Sequence, residues 1–273
     1  MFVNLPIILR CFMKVTLITG ASSGIGEAFA RRLAADKQDL VLVARNEGRL
    51  AAICEELANE HGITANYVAI DLNGYLADET LFNETEKHGF EVDWLINNAG
   101  FGSMGDFSKL DREKEMDMIG LNVMSLVALT HRYLKQMRKR KSGTIINVSS
   151  TTSFQPIPYM ATYAATKAFV TSFSEALAEE NRLHGIRVFV LCPGATKTNF
   201  FEASEIKDPV KIKGMETSEE VVEAALKALD KGKTTVISGW VNYFVSRVGS
   251  FAPTRIVTRS IGSILRKKLG ERD

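Results

Sequence analysis

The chain has 273 residues, a formal net charge of +2 and 45% hydrophobic residues, which is enough to bury the core of one α/β domain. The nearly balanced charge gives no electrostatic reason to expect a nucleic-acid partner. Three cysteines without a CxxC pair indicate a reducing compartment, and four scattered histidines show no metal-binding spacing. We therefore expect no metal site, and a location in the cytoplasm or at the periphery of a membrane.

The first residues, MFVNLPIILRCFM, are apolar but too short for a membrane-spanning helix, which needs about 20 apolar residues. They also lack the basic region and the small-residue cleavage site of a signal peptide. We predict an N-terminal tail over 1–13, with Met13 as the favoured natural start. One domain is then expected over 14–239, with a C-terminal helical extension of the same domain over 240–273.

From Lys14 onward, short apolar runs rich in β-branched residues alternate with longer helical patterns. Strands that are apolar throughout are typical of a parallel sheet covered on both faces. The alternation predicts a Rossmann-like, doubly wound parallel sheet of about seven strands flanked by helices, with ligands bound beyond the carboxyl ends of the strands. The predicted strands are 15–19, 40–45, 65–70, 92–97, 143–149, 186–192 and 234–238, and the predicted helices are 24–36, 47–61, 74–88, 112–140, 159–184 and 217–231.

A glycine-rich segment, TGASSGIG at 19–26, connects the first predicted strand to the first predicted helix. Glycines let the backbone approach a pyrophosphate closely, and the following helix N-terminus offers free amides and the positive end of a dipole. The spacing is GxxxGxG, which differs from the GxGxxG of the general dinucleotide fingerprint. Its position between a strand and a helix nevertheless indicates nucleotide binding.

The end of the second strand bears on which nucleotide is bound. The strand ends Val43-Ala44-Arg45-Asn46, with no acidic residue before Glu47. A carboxylate at this place suits the ribose 2′-hydroxyl of NAD, whereas an arginine suits the 2′-phosphate of NADP. Arg45 offers a planar, permanently charged fork to a phosphate, or it is a surface arginine paired with a helix. We predict NADP(H) in preference to NAD(H).

Polar residues also follow the third and fourth strands. Asp71 either accepts a hydrogen bond from the adenine amino group or caps the helix that begins near Gly74. Asn97-Asn98-Ala99-Gly100 lies where a loop would pass the adenine ribose, or is an ordinary asparagine-rich turn.

Tyr163 and Lys167 stand four residues apart in a strongly helical stretch, so both project from one face. A tyrosine with its reference pKa of about 10 transfers protons poorly near neutrality, and a nearby ammonium together with a bound nicotinamide cation would lower that pKa. Ser150 ends the fifth strand, far enough ahead of Tyr163 for a loop to bring its hydroxyl to this helix. The three side chains are candidates for a proton-transfer site.

Two further segments are candidate parts of this site. Asn122 is a polar residue in an otherwise apolar part of the predicted helix 112–140, where it needs partners and either binds water or interrupts the helix. The segment Cys192-Pro193-Gly194-Ala195-Thr196-Lys197-Thr198 follows the sixth strand, at a position suited to holding a nicotinamide amide.

Together TGASSGIG, NNAG, the asparagine of LNV, Ser150, YAATK and PGATKT resemble the short-chain dehydrogenase/reductase family, in that family's order over residues 14–200. The resemblance implies an NADP(H)-dependent oxidoreductase that interconverts a carbonyl and an alcohol. It implies that Tyr163 is the general acid/base, that Lys167 binds the nicotinamide ribose and lowers the tyrosine pKa, and that Asn122 holds a proton-relay water. The family's usual offset selects Ser150 rather than Ser149 to orient the substrate oxygen. The implied cofactor contacts are Gly20, Ser22, Ser23, Gly24, Ile25, Gly26, Arg45, Asp71, Asn98, Ala99, Gly100, Tyr163, Lys167, Pro193, Gly194, Thr196 and Thr198.

A non-catalytic NADP-binding regulator or scaffold is the main alternative, and retention of both Tyr163 and Lys167 argues against it. Beyond Thr198, Phe200 and Phe201 either line the substrate site or pack the loop onto the body. The resemblance also predicts a homodimer or homotetramer that uses helices 112–140 and 159–184.

The C-terminal extension carries an apolar stripe, accompanied by basic residues. In order of preference, the stripe indicates a helix folded over the active site, a subunit interface or a membrane-surface segment. Such a tail resembles the branch of the family that acts on hydrophobic substrates such as fatty acyl chains, steroids or retinoids. The stripe consists of Val257, Ile261, Ile264, Leu265 and Leu269.

Overall fold

The structure, a computed structural model, describes residues 12–198, Phe200, 215–251 and 253–269. The predicted N-terminal tail lies outside the described residues except for Phe12 and Met13, and Phe201 also lies outside them. None of the helices in these described ranges is long and apolar enough to cross a membrane.

Seven parallel strands form one sheet in the order β3-β2-β1-β4-β5-β6-β7, which confirms the predicted doubly wound, Rossmann-like fold. The order reverses direction between β1 and β4, and a crevice therefore opens at the carboxyl ends of these two strands. The strands are β1 (Met13–Thr19), β2 (Leu40–Ala44), β3 (Ala65–Ala69), β4 (Phe90–Asn97), β5 (Gly143–Val148), β6 (Ile186–Cys192) and β7 (Thr235–Ile237).

Helices cover both faces of the sheet, and the predicted C-terminal helical extension is present as the last two of them. The helices are α1 (Gly24–Ala35), α2 (Glu47–His61), α3 (Ala77–Lys87), α4 (Arg112–Ile119), α5 (Leu126–Arg140), α6 (Ala161–Asn181), α7 (Ser218–Asp230), α8 (Trp240–Phe251) and α9 (Thr254–Lys268).

The continuous apolar pattern of the strands arises because both faces of the sheet are buried. Successive side chains of a strand point to opposite faces. Leu40 and Leu42 of β2 accordingly pack in one core cluster, whereas Val41 and Val43 pack in the other. Because all seven strands are parallel, their carboxyl ends meet along one edge of the sheet.

The predicted helix 112–140 is interrupted, as the buried asparagine within it allowed. Between α4 and α5 the chain forms a π-helical segment over Gly120–Ser125. Such segments are rare in proteins, but those that occur are often found at functional sites. The Ser125 hydroxyl bonds to the carbonyl oxygens of Leu72 (2.6 Å) and Gly120 (3.2 Å), so a side chain takes part in the irregular turn. The interruption turns Asn122 toward the loop after β4.

Several element boundaries differ from prediction, and three of them have a clear local reason. β1 begins at Met13, because the Met13 amide donates to the carbonyl of Gly89 at 3.0 Å. α3 begins only at Ala77, because the chain first makes a turn after Asp71. α6 begins at Ala161, because Tyr159 has a φ of +65° that cannot continue a right-handed helix.

Candidate active site

A cleft of about 1340 Å³ lies beyond the carboxyl ends of the strands. The loops that follow β1 to β6 contribute to its lining, together with the start of α6 and one side of α9. Gly26 and Asn122 do not line the cleft but contact residues that do. The other described residues of the predicted site line it: Gly20, Ser22, Ser23, Gly24, Ile25, Arg45, Asp71, Asn98, Ala99, Gly100, Ser150, Tyr163, Lys167, Pro193, Gly194, Thr196, Thr198 and Phe200.

The glycine turn after β1 is held in place by Thr19, a residue that the sequence analysis did not single out. The Thr19 hydroxyl accepts hydrogen bonds from the amides of Asn98 and Ala99, both at 3.0 Å. The Asn98 side-chain amide donates in return to the carbonyls of Thr19 (2.9 Å) and Gly20 (3.1 Å). The Asn98 side chain therefore joins the two loops, and a threonine at the end of a buried strand is the signal that could have identified this junction.

The start of α1 packs tightly behind the glycine turn. A Cβ at Gly26 would overlap the carbonyl oxygen of Gly20, so only glycine fits there, whereas Gly24 and Ile25 face the cleft. Gly20 has a φ of +64°, which glycine adopts without strain. The amides in the first turn of a helix have no partner within it and favour an anion. The geometry therefore fits a pyrophosphate, and the described packing of Gly26 is against the carbonyl of Gly20.

Arg45 and Asp71 line the part of the cleft formed by the ends of β2 and β3. Arg45 is exposed, and no hydrogen bond or ion pair joins it to another residue in the described part of the chain. It therefore does not pair with a helix there, contrary to one of the two interpretations. The Asp71 carboxylate accepts from the Asn73 amide at 3.0 Å, and the N-cap of α3 is Leu76. The interpretation of Asp71 as a helix cap is therefore wrong, and its carboxylate stabilises a turn.

The first two turns of α6 carry Tyr163 and Lys167, both buried. The Lys167 ammonium lies 5.8 Å from the centre of the Tyr163 ring and donates to the carbonyl of Val148, at the end of β5, at 3.0 Å. Burial lowers the pKa of Lys167 to about 8. The carbonyl of Val148 thus holds this side chain on the tyrosine side of the cleft.

The pKa of Tyr163 moves opposite to the sequence-based expectation. Burial raises it to about 12, and a side-chain hydrogen bond with Ser150 only partly opposes this rise. Removing the phenol from water penalises the phenolate more than the neighbouring hydroxyl stabilises it. The surrounding protein therefore holds the Tyr163 proton firmly, and a positive charge beside the phenol would be needed to loosen it.

The two serines after β5 have different surroundings. The Ser149 hydroxyl donates to the carbonyl of Lys167 at 2.8 Å and is bonded to the Thr171 hydroxyl at 2.7 Å, so it ties β5 to α6. The Ser150 hydroxyl accepts from the Thr152 amide at 3.2 Å and reaches Tyr163. Geometry therefore favours the same serine that the family's offset selects.

Asn122 connects the π-helical segment to the cleft from behind. Its side chain accepts from the amide of Phe101 at 3.1 Å and donates to the carbonyl of the same residue at 2.9 Å. It also donates to the Thr166 hydroxyl at 3.2 Å, next to Lys167. A Cβ on Gly100 would lie 2.7 Å from the Asn122 oxygen and 3.5 Å from the Lys167 nitrogen. Asn122 thus positions the loop after β4 beside α6.

A series of buried side-chain hydrogen bonds behind the site was not identified from sequence. The Asn97 side chain donates to the Thr130 hydroxyl at 3.0 Å and to the Asn147 side-chain oxygen at 2.9 Å, and Asn147 donates to the Ser174 hydroxyl at 2.9 Å. Asn97 and Asn147 are paired in register on β4 and β5. A single asparagine at the end of each of two apolar strands was the available signal. These hydrogen bonds fix α5 and α6 against β4 and β5, the strands that carry the site.

Apolar side chains form the wall beside Tyr163. The ring of Phe200 lies 5.4 Å from that of Tyr163, tilted by 53°. Phe200 both packs against the body of the protein and lines the cleft, so the packing interpretation and the lining interpretation both apply to it. Ile261 and Leu265 of α9 line the same cleft, whereas Ile264 borders it with its side chain mostly exposed. The apolar stripe on α9 is therefore only partly buried.

The fold and this cleft define a class of protein, the oxidoreductases that bind a pyridine nucleotide at the end of a parallel sheet. A family model described as short chain dehydrogenase matches residues 14–208. The 7beta-hydroxysteroid dehydrogenase of Mediterraneibacter gnavus is 32% identical over 82% of this chain and 85% of its own length. The short-chain dehydrogenase from Sphingobium yanoikuyae in complex with NADPH is 29% identical, with a TM-score of 0.77 over 96% of this chain and 97% of that one.

L-Sorbose reductase from Gluconobacter frateurii, solved with NADPH and L-sorbose, is 32% identical with a TM-score of 0.69, over 78% of this chain and 88% of that one. This chain belongs to the short-chain dehydrogenase/reductase family. It is an NAD(P)-dependent oxidoreductase acting on CH–OH groups.

Proposed function

We propose that the protein is an NADP(H)-dependent oxidoreductase that interconverts a carbonyl and a primary or secondary alcohol on a hydrophobic substrate. The observation that carries the proposal is the placement of Tyr163 in the cleft. Its buried phenol is bonded to Ser150 and lies beside the ammonium of Lys167. A phenol held between a hydroxyl and an ammonium can pass a proton to a substrate oxygen and take it back.

Each residue has a role that follows from its contacts. A bound nicotinamide supplies the hydride in one direction and accepts it in the other. Ser150 donates a hydrogen bond to the substrate oxygen, and Tyr163 donates or recovers the proton. Lys167, which the carbonyl of Val148 holds in place, lies where its charge, when protonated, would favour the phenolate together with that of a bound nicotinamide cation. Asn122 keeps the loop after β4 and the start of α6 in register.

Arg45 supports the preference for NADP(H). Its guanidinium is exposed at the end of β2, lines the cleft and makes no ion pair with a described carboxylate. A 2′-phosphate would provide the missing partner and could bind the planar fork through two hydrogen bonds. Replacing Arg45 with Asp should move the preference in kcat/KM from NADPH toward NADH. An unchanged preference would remove the basis of this assignment.

The apolar wall supports a hydrophobic substrate. Met104, Ile157, Met160 and Phe200 cluster with Tyr163 and line the cleft, and Ile261 lines the same cleft from α9. Burial of apolar substrate area against such surfaces is favourable. The hydroxysteroid dehydrogenase among the relatives is consistent with this class of substrate, whereas the sorbose reductase shows that the family also accepts polar ones. Carbonyl substrates of graded size and polarity therefore test the class directly.

The experiment measures NADPH consumption with that panel for the native protein and for Tyr163→Phe. We expect turnover that rises with apolar size and falls by about 100-fold or more in the variant, since proton transfer by a positioned side chain contributes on this order. Tyr159→Phe is a matched control, because Tyr159 does not line the cleft. NADPH binding without turnover by the native protein would favour a regulator, and better turnover of sugars would refute the hydrophobic class.

The proposal extends to assembly and location. The outer sides of the π-helical segment and α6 expose Met124 and Phe169, and the ring of Phe169 stacks on Phe173 at 5.7 Å. We expect these helices to join subunits into a homodimer or homotetramer in the cytoplasm. Light scattering tests the assembly, and a monomer at micromolar concentration would contradict it.

A further inference from the structure

The face of α8 that points to solvent carries aromatic and other apolar side chains. Trp240, Val241 and Phe244 are 78%, 52% and 60% exposed, whereas the polar Ser246 is buried. This arrangement reverses the usual amphipathic pattern, in which the polar side of a surface helix faces water. Exposed apolar side chains gathered on one face mark an interaction surface rather than a solvated helix.

Hydrogen bonds fix this reversed orientation. The Asn242 side chain points inward, where it donates to a Glu216 carboxylate oxygen at 3.1 Å and to the Ser238 carbonyl at 2.9 Å. The Ser238 hydroxyl donates to the same Glu216 oxygen at 2.8 Å. Residues four apart share a helix face, so Asn242 and Ser246 face the body while Trp240 and Phe244 face away from it. Rotating α8 to bury its aromatic side chains would break these bonds.

The next helix adds positive charge. Arg255, Arg259 and Lys267 of α9 are exposed, and none of them forms an ion pair with another described residue. Ile256 on the same helix is also exposed. Over residues 240–269 the sequence has six basic residues and no acidic one, although the whole chain has nearly balanced charge. The extension therefore combines aromatic and cationic exposed side chains.

We propose that α8 and α9 form a docking surface for the anionic face of a lipid bilayer. Trp and Tyr side chains concentrate at membrane interfaces, and each basic residue near an anionic surface adds to the attraction. Docking is peripheral, since neither helix can cross a bilayer. A second copy of the chain fits this surface less well, because a two-fold contact places like charges opposite one another.

Docking would place the substrate cleft close to the lipid. Ile261 and Leu265 line the cleft from α9, while Arg259 and Lys267 are exposed on the same helix. The docking surface itself does not depend on the proposed reaction. Vesicle binding can be measured without cofactor or substrate, so failure of the oxidoreductase assignment and failure of docking are separate results.

The test is flotation of the full-length protein with two kinds of vesicle, phosphatidylcholine alone and phosphatidylcholine mixed with phosphatidylglycerol. We expect binding to the mixed vesicles only, weakening as salt is added. Trp240 should report this binding as a blue shift of fluorescence that disappears in Trp240→Phe, because the only other tryptophan is the half-buried Trp94.

Two variants separate the contributions. Arg259→Glu combined with Lys267→Glu should weaken the partition coefficient by at least about thirtyfold, whereas Lys231→Glu with Lys233→Glu, an equal charge change in an exposed turn, should change it little. Phe244→Glu should also weaken it and leave turnover of a water-soluble carbonyl unchanged. Equal binding to both vesicles, binding to neither, or equal effects of the two charge reversals would overturn the proposal. The proposal would also be overturned if Phe244→Glu abolished self-association but left vesicle binding unchanged.

Discussion

Replacing Gly194 with Ala tests how the C-terminal extension shapes the catalytic cleft. Gly194 lines the cleft in the loop after β6, and the Asn242 side chain of α8 packs directly against it. A Cβ on Gly194 would overlap the Asn242 nitrogen and lie 2.5 and 2.6 Å from its Cγ and Oδ1 atoms. The amide cannot withdraw freely, because it is bonded to Glu216 at 3.1 Å and to the Ser238 carbonyl at 2.9 Å.

The size of the effect follows from these contacts. Displacing Asn242 breaks two hydrogen bonds, each of which contributes about 1 kcal/mol to the free energy of unfolding. Overpacking of this kind lowers that free energy by about 1–3 kcal/mol. We expect Gly194→Ala to lower the free energy of unfolding by about 2–3 kcal/mol and to raise the KM for NADPH, since the displaced loop lines the cleft. Asn242→Ala removes all three crowding atoms, so Gly194→Ala should cost almost nothing further in that background.

The assay is a double-mutant cycle of denaturant unfolding, with the KM for NADPH measured on the same four proteins. We expect a coupling free energy of about 2 kcal/mol between the two positions. Gly48→Ala is the control, because its Cβ would meet only the Asn46 oxygen at 3.9 Å and alanine is the better helix former. Additive effects of the two substitutions would refute the packing argument.

Further predictions concern the buried groups of the site. Burial lowers the pKa of Lys167 from 10.5 to about 8, so between these values the unfolded chain holds a proton that the folded protein has lost, and stability rises with pH. Relative to Lys167→Met, the native protein should gain up to about 3 kcal/mol between pH 8 and 10.5 by thermal or denaturant unfolding, and a constant difference would contradict the shift. Thr19→Val leaves the Asn98 and Ala99 amides without their acceptor and should cost about 1–3 kcal/mol while raising the KM for NADPH; an unchanged KM would show that the junction does not shape the cofactor loop. Asn122→Ala should lower kcat more than it raises the KM for NADPH, measured at saturating substrate, because it loosens the start of α6 rather than the glycine turn.

The sheet could be predicted because its strands are buried on both faces, which leaves an apolar pattern that depends little on neighbouring elements. The strand ends could be predicted for the same reason, and with them the motifs that line the cleft. The residues at which α3 and α6 begin could not be predicted. Their positions depend on the turn after Asp71 and on the left-handed backbone of Tyr159, a conformation that a tyrosine gives no reason to expect.

Within the site, residue types could be predicted more readily than the direction in which side chains point. Asn98 is present in the expected loop, but its amide points to the carbonyls of Thr19 and Gly20, a contact between segments distant in sequence. Likewise, the pKa of Tyr163 depends on how completely the surrounding chain excludes water, which spacing along one helix cannot reveal. Both properties arise from tertiary packing.

The C-terminal extension shows why an apolar stripe supported several interpretations. Its inward side carries polar Asn242, which packs against the loop of Gly194, as well as apolar Leu265, which lines the cleft. Its outward side carries aromatic and basic residues. Because apolar side chains occur on both sides, periodicity alone cannot identify the buried one. The bonds of Asn242 identify the inward side of α8, and the burial of Leu265 in the cleft wall identifies the inward side of α9. Asn242 is thus one contact between α8 and the loop that lines the cleft after β6, and Asn242→Ala would remove it.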